Sequence, residues 1–396
     1  MPLCLIDSLV GKCEGAGVAR PVVELEDLGP LLAALEQVPD PRSAKGRHYP
    51  WIFLTAGTLL AVLCGSKSLA AAVQWISEAP EDLMELLGAG KRRRRMWVST
   101  LSRPFSKIPA DALDDALYAW LNTLHEVSEP LTREEEYCPA LAIDGKTPRG
   151  ARDDDGKTPY LLSALRHEDG TVAGQRQVGK KTNEIKAFIP LLKTIDISGM
   201  VITADQMHTQ RGHAAFLKER GAYYLFTVGG NHPKLLFALM SLPWDGRRVA
   251  FRSRDVGHGR IETRRIKVYA APKDLPFPDV TRVFRVERHF TDLDGKLLSY
   301  EVALGITSLP KRKATPAVIA GVLRGHWGIE SLHFVRDGTY AEDASQVRTG
   351  SSPRVMATFR NVSISLLKLM GWENMAEATR HMMVRPYEAA NLIGLT

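Results

Sequence analysis

Two apolar runs of the 396-residue chain end in aspartate: Ala140-Leu-Ala-Ile143 runs into Asp144, and Met200-Val-Ile-Thr-Ala204 into Asp205. If both are strands of one sheet with parallel neighbours, their carboxyl ends converge and the two carboxylates face one crevice. A third acid, Glu330, lies on a later helical stretch. Three carboxylates gathered from distant positions repel one another unless a hard cation sits among them. Oxygen donors with open positions suit Mg²⁺ or Mn²⁺, and two such ions activate a nucleophile and stabilise a leaving oxygen in phosphoryl transfer. Asp144, Asp205 and Glu330 are therefore the expected catalytic and metal-binding residues.

On the Glu330 helix, His326, His333 and Asp337 fall at i−4, i+3 and i+7, one shared face that would look into the crevice. His326 and Arg324 are placed to bind a DNA phosphate, with Arg336 at the margin, and Asp337 to orient a neighbour or help bind metal. Trp327 reads as packing rather than as a base-stacking platform. Other chemistries fit less well. Asp-Gly-Lys-Thr-Pro occurs at 144–148 and 155–159, but neither copy has the first glycine that a Walker loop needs ahead of its Gly-Lys pair. Glu330-x-x-His333 has no second copy to make a di-iron pair, and no G-x-S-x-G elbow is present. His208 and His213 read as surface or core histidines.

The elements that must position these residues follow from pattern. Residues 23–127 read as a helical DNA-binding domain: Leu31, Leu32, Leu35 and Val38 recur at helix spacing up to Pro39-Asp40-Pro41, Ser68 opens a second stretch, and Asp111 to Val127 is amphipathic. Proline costs about 3 kcal/mol inside a helix, so a helix near Pro104 is expected to end before it. Residues 1–22 form an N-terminal extension and 128–137 a polar linker. A catalytic core follows over 138–230 and 301–370. It opens strand, strand, strand, helix, strand, helix, strand, with a hairpin over Tyr160–Arg166 and Thr171–Val178 and a helix from the Asn183 cap to Ile195. Residues 231–300 read as a β-rich insertion, with strands over Arg264–Tyr269 and Thr281–Glu287. A strand over Tyr300–Ser308, one helix over Ala317–Val335, a closing helix over Val355–Leu369 and a tail at 371–396 complete the chain.

Composition narrows the partners. The net charge is +7, and the stretch from Lys91 to Lys107 holds seven basic residues and no acidic one; outside it the charges balance at 45 each. A surplus confined to one block points to an anionic partner, nucleic acid first. Cys4, Cys13, Cys64 and Cys138 are scattered, against a disulfide framework or a zinc ribbon. Met1 to Gly11 lacks a basic signal-peptide start, and the Trp51 to Cys64 run is shorter than the roughly 18–20 residues of a membrane span. The expectation is a soluble protein of a reducing intracellular compartment, without membrane or nucleotide cofactor.

The stretches Ala142-Ile-Asp-Gly-Lys146, Gln177-Val-Gly-Lys-Lys-Thr-Asn-Glu-Ile185, Ile202-Thr-Ala-Asp-Gln206, Gly257-His-Gly-Arg-Ile-Glu-Thr263, His326-Trp-Gly-Ile-Glu330 and Glu342-Asp-Ala-Ser-Gln-Val-Arg348 occur in this order over nearly the whole chain. Together they resemble bacterial insertion-sequence transposases of the DDE class, in the H-repeat-associated (ISAs-type) group, whose associated N-terminal domain Leu31 to Leu121 is similar to. The resemblance implies an α/β fold: an RNase H-like catalytic core with a β-rich insertion, preceded by an all-α domain. It implies a triad of Asp144, Asp205 and Glu330 binding two Mg²⁺, with Mn²⁺ able to substitute. The reaction would be cleavage at the element's end, freeing a 3′-hydroxyl that attacks target DNA without ATP. The partners would be double-stranded terminal inverted repeats and target DNA, bound by a homodimer in a bacterial, nucleoid-associated cytoplasmic setting. Residues expected to meet DNA are Lys91, Arg92, Arg93, Arg94, Arg95, Arg103, Lys146, Lys181, Arg260, Arg324, His326 and Arg336. Two positions depart from related elements: His326 stands where an arginine is usual and Asp337 where a lysine is usual. Two other readings share many of these features, a non-catalytic DNA-binding descendant of a transposase and an RNase H-like nuclease that cuts without joining.

Overall fold

The computed structural model describes residues 31–45, 47–89, 96–127, 138–152, 156–179, 183–257 and 259–395. The expected 1–22 extension, the 128–137 linker, Lys91 to Arg95 and Lys181 lie outside the described residues.

The N-terminal part is helical: α1 (Leu31–Glu36), α2 (Trp51–Leu63), α3 (Leu69–Glu78), α4 (Glu81–Leu86), α5 (Val98–Phe105) and α6 (Ala110–Val127). Ser68 caps α3 by accepting from the Ala71 N–H. Pro104 does not stop α5, which runs on to Phe105. In the last turn a proline forfeits only the one hydrogen bond its missing N–H would have made, and here its ring is buried.

The rest of the chain is mixed α/β. In order come β1 (Ala140–Lys146), β2 (Leu161–Arg166), β3 (Val172–Gln177), α7 (Glu184–Leu192), β4 (Val201–Ala204), α8 (Arg211–Glu219), β5 (Tyr223–Val228), α9 (Pro233–Met240), β6 (Phe251–Gly257), β7 (Arg260–Ala270), β8 (Arg282–Asp292) and β9 (Leu297–Thr307). Helices α10 (Pro316–Gly325), α11 (Gly328–Gly338), α12 (Ser352–Leu369), α13 (Met375–Val384) and α14 (Pro386–Asn391) close it. All the strands form one nine-stranded sheet ordered β3-β2-β1-β4-β5-β9-β8-β7-β6. β1 is antiparallel to β2 and parallel to β4, which is parallel to β5. That is the RNase H-like core expected from the sequence.

The strands of the expected insertion continue the sheet: β6 to β8 join it through β9, which pairs with β5 through Leu225–Val228 and Leu304–Thr307. Since β9 has eleven residues, its half from Leu297 to Ala303 runs past the end of β5, on the edge where β1 and β4 also end. At about 3.3 Å per residue this overhang reaches roughly 20 Å beyond that edge.

Apolar residues cover both faces of the core sheet. Leu141, Ile143, Ile202 and Phe226 pack on Phe188, Leu191 and Leu217 of α7 and α8. On the other face Ala142 and Leu165 join Ile329 and Leu332 of α11 in a cluster that also takes in Leu54 of α2, Phe359 of α12 and Ala389 of α14. The N-terminal helices, the closing helix and the C-terminal stretch thus share one core. The helix expected over Ala317–Val335 is broken into α10 and α11, with His326-Trp327 at the joint. Two close approaches set the break. A Cβ at Gly325 would lie 2.3 Å from the His167 ring, and the Arg264 and Arg288 guanidinium groups stack 5.1 and 4.1 Å from the Trp327 ring. Trp327 packs, as its sequence context implies.

Candidate active site

The register of β1 on β4 pairs Ile143 with Ala204. Asp144, still in β1 opposite Ser163 of β2, and Asp205, just past the end of β4, therefore lie side by side where the β1–β4 pairing ends. Asp144 is largely buried, and its carboxyl is pushed up to about 6, first by that burial and then by the nearby negative charges of Asp205 and Glu184, against an opposing hydrogen bond from the Gly145 N–H. Asp205 is held below the usual carboxylate range by His326, whose Nε2 stands 3.8 Å from Oδ1. The other ring nitrogen of His326 lies 3.0 Å from the Thr203 hydroxyl, which also lies 3.2 Å from Nε2 of His167. His326 is thus a brace on Asp205, fixed from behind by a β4 side chain.

Of the expected helical face, His333 and Asp337 lie on α11 beside β1, while His326 falls at the joint before it. His333 places Nδ1 3.5 Å from Asp144 Oδ2, and burial drives its pKa down to about 3, so it stays neutral there. Asp337 accepts from Lys146 Nζ at 2.6 Å. Lys146 is buried and held by Asp337 and by Asp343 at 3.6 Å, which corrects its expected place at the DNA: the charge is turned inward to the helix that covers β1. The expectation for Arg336 is corrected likewise. It is fully buried and paired with Glu342 at 2.8 Å, which also pairs with Arg360 at 3.0 Å.

Glu330 sits exposed in the first turn of α11. Among the described residues, no three His, Cys, Asp or Glu side chains stand together closely enough to hold a metal ion.

A further carboxylate enters the site. Glu184, the first residue of α7, accepts from the Tyr160 hydroxyl at 2.6 Å and lies 2.9 Å from His208 Nε2. His208 and His213 are buried, with the His213 ring stacked 4.0 Å from that of Phe188, so both are core histidines. In the sequence Tyr160 shows only as the start of a hairpin strand, and Glu184 only as the residue after a helix cap and a member of the Gln177 to Ile185 stretch, neither with a site role.

Of the other residues expected to meet DNA, Arg103 is exposed at the end of α5 and Arg260 is exposed where β7 begins, its guanidinium 4.9 Å from the Phe290 ring. Arg324 pairs with Asp255. The two faces of the overhanging sheet differ in charge. On the face toward α10, Arg264, Arg288 and Arg324 are matched by Asp255, Glu262 and Glu301. On the opposite face Arg252 stands across from Arg265, and Arg254 lies on the same side two residues on. The acid in that row, Glu287, is already held by Lys267 and Arg285.

Residues 139–366 match the family described as Transposase DDE domain, and residues 32–121 match the one described as DDE_Tnp_1-associated. The chain belongs to the DDE transposase family. A protein of Escherichia coli O157:H7 named as a transposase, YncI, is 29% identical over 68% of this chain and 70% of its own length. YhhI of E. coli K12, named as an H repeat-associated transposase, is 26% identical over 86% of this chain and 91% of its own. Among solved structures the chain is similar to a piggyBac transposase synaptic complex with hairpin DNA, at TM-score 0.42 and 10% identity, covering 93% of this chain and 78% of that one. For this DDE transposase the donor chemistry at the β1 and β4 ends fits a hard divalent cation. The donors are carboxylate oxygens, and the Asp144 carboxyl is raised first by burial and then by the neighbouring charges of Asp205 and Glu184, a cost that a bound cation would relieve. No helix among the described residues is long and apolar enough to cross a membrane.

Proposed function

We propose that the chain is a metal-dependent DNA strand-transferase. It cleaves DNA at the ends of an insertion sequence and joins the freed 3′-hydroxyl to target DNA, with Asp144, Asp205 and Glu330 as the residues that hold two Mg²⁺, or Mn²⁺ in their place. The observation that carries this reading is the crowding of Asp144 and Asp205 where the β1–β4 pairing ends, with the Asp144 carboxyl raised to about 6. When bound, the ions supply Lewis acidity and neutralise charge at the scissile phosphate. The chain's own groups prepare that site. His326 and Thr203 fix Asp205, neutral His333 flanks Asp144 without cancelling its charge, and the Lys146–Asp337 pair keeps an ammonium from doing so.

Double-stranded DNA, as terminal inverted repeat and as target, would run past this edge along the overhang. Arg252, Arg254 and Arg265 supply positive charge there, and His289 on the same face is held below the usual histidine range by burial and then by Arg265 and Arg252. Arg260, Arg103 and the Lys91 to Arg95 block would add phosphate contacts, and the working assembly would be a homodimer in the bacterial cytoplasm, at the nucleoid. The exposure of Glu330 favours a second reading, a DNA-binding descendant that no longer cuts. Incubating the protein with Mg²⁺, a labelled duplex carrying the DNA that flanks its gene and an unlabelled target duplex tests the proposal. Labelled 3′ ends joined to target support it; salt-sensitive binding with neither cutting nor joining supports the second reading.

A further inference from the structure

The two aspartates hang from different segments, and one carboxylate, that of Glu184, holds a side chain beside each. Tyr160 lies against the backbone just after Asp144: a Cβ at Gly145 would stand 2.2 Å from its hydroxyl oxygen, so only glycine admits the ring there. That hydroxyl donates to Glu184 Oε2 at 2.6 Å. The other oxygen, Oε1, lies 2.9 Å from Nε2 of His208, which sits in the short turn that follows Asp205 and whose backbone N–H donates to the Asp205 carbonyl at 2.8 Å. His208 is fully buried and its ring packs 5.1 Å from that of Phe188 in α7, while Asn183 caps that helix through the Lys186 N–H. Glu184 therefore leaves a rigid helix start and spans from the strand that presents Asp144 to the turn that presents Asp205.

We infer that Glu184 is a positioning residue that sets the spacing of Asp144 and Asp205 by bracing Tyr160 on one side and His208 on the other. The inference rests on the active-site reading above. Both carboxylate oxygens of Glu184 already have partners, so it acts through the two aspartates rather than as a ligand of its own. Groups that orient metal ligands from behind change cation affinity by about 10- to 100-fold when removed.

The test uses the full-length protein without DNA, titrated with Mn²⁺ by calorimetry or electron paramagnetic resonance, together with a melting curve and Mg²⁺-dependent cleavage. Glu184→Ala removes the brace and is expected to weaken Mn²⁺ binding by about 10- to 100-fold while melting stays cooperative. Glu184→Gln keeps both contacts, its oxygen accepting from His208 and its NH₂ donating to the Tyr160 oxygen, and is expected to bind Mn²⁺ within a few-fold of wild type. Tyr160→Phe removes one arm and should fall between. If Glu184→Gln is as weak as Glu184→Ala, the carboxylate charge matters and the brace is overturned. Wild-type Mn²⁺ affinity in Glu184→Ala, with binding lost in Asp144→Asn, also overturns it and leaves the site reading intact. Mn²⁺ binding retained in Asp144→Asn overturns the site reading itself. Should Glu184→Ala fail to fold, Tyr160→Phe decides: weakened Mn²⁺ binding supports the brace and unchanged binding overturns it.

Discussion

Lys146 and Asp337 meet across 191 residues, with the ammonium donating to the carboxylate at 2.6 Å. Lys146 is two residues beyond Asp144 on β1 and Asp337 is in the last turn of α11, so the pair ties the helix carrying Glu330 to the strand carrying Asp144. Asp337 is partly exposed and Lys146 retains Asp343 nearby, so solvent screens part of the interaction. Asp337→Ala is expected to lower unfolding free energy by only about 1 kcal/mol, read by urea denaturation, and to lower Mg²⁺-dependent cleavage by a larger factor, because α11 loses its tie to the strand end.

The buried Arg336–Glu342–Arg360 cluster bears on stability rather than on DNA. Glu342→Ala leaves two guanidinium groups buried without a counter-charge and is expected to cost about 3–5 kcal/mol in denaturant unfolding. In Arg336→Met the salt dependence of DNA binding by the folded protein should match wild type; a shallower slope would return Arg336 to the DNA surface.

On the overhanging sheet, each arginine that meets a phosphate steepens the fall of affinity with salt by about one log unit per log unit of salt. Arg252→Ala with Arg254→Ala is therefore expected to lower that slope by about two, measured by fluorescence anisotropy, with Mn²⁺ binding unchanged. An unaltered slope would place the duplex elsewhere.

His213 is buried, and that burial pulls its pKa from 6.5 down to about 4, although the carbonyls of His208 and Ile185 each lie 3.0 Å from a ring nitrogen. The unfolded chain binds a proton below about 6.5 that the folded chain refuses until about 4, so stability contributed by neutral His213 is present above that window and is lost as pH falls through it. At about 1.4 kcal/mol per pH unit, this group alone removes about 2 kcal/mol between pH 7.5 and 5. Melting curves at the two pH values should show a smaller acid loss in His213→Gln than in wild type; equal losses would contradict the assignment.

The strands that present Asp144 and Asp205 were legible because each is an apolar run ending at an acid, and the Asn183 cap because an Asn before a helical period has few other uses. What escaped the sequence depends on partners far along the chain. Nothing near Lys146 or Arg336 marks either as paired inward, since their acids arrive by folding, and basic residues near a crevice read as phosphate contacts by default. The break at His326-Trp327 comes from the His167 ring and two stacked arginines on other strands, against which local helical spacing has no voice. The β-rich stretch was recognisable as strands, but its union with the main sheet rests on the β5–β9 register.

The central claim is that Asp144 and Asp205 form a cation-dependent cleavage site. Its most direct test is Mg²⁺-dependent cleavage of the DNA flanking this gene by wild type and by Asp205→Asn, with DNA binding measured on the same samples. Cleavage by wild type, absent in Asp205→Asn at unchanged binding, is the expected result. Equal cleavage by both proteins would contradict it and put the active site elsewhere.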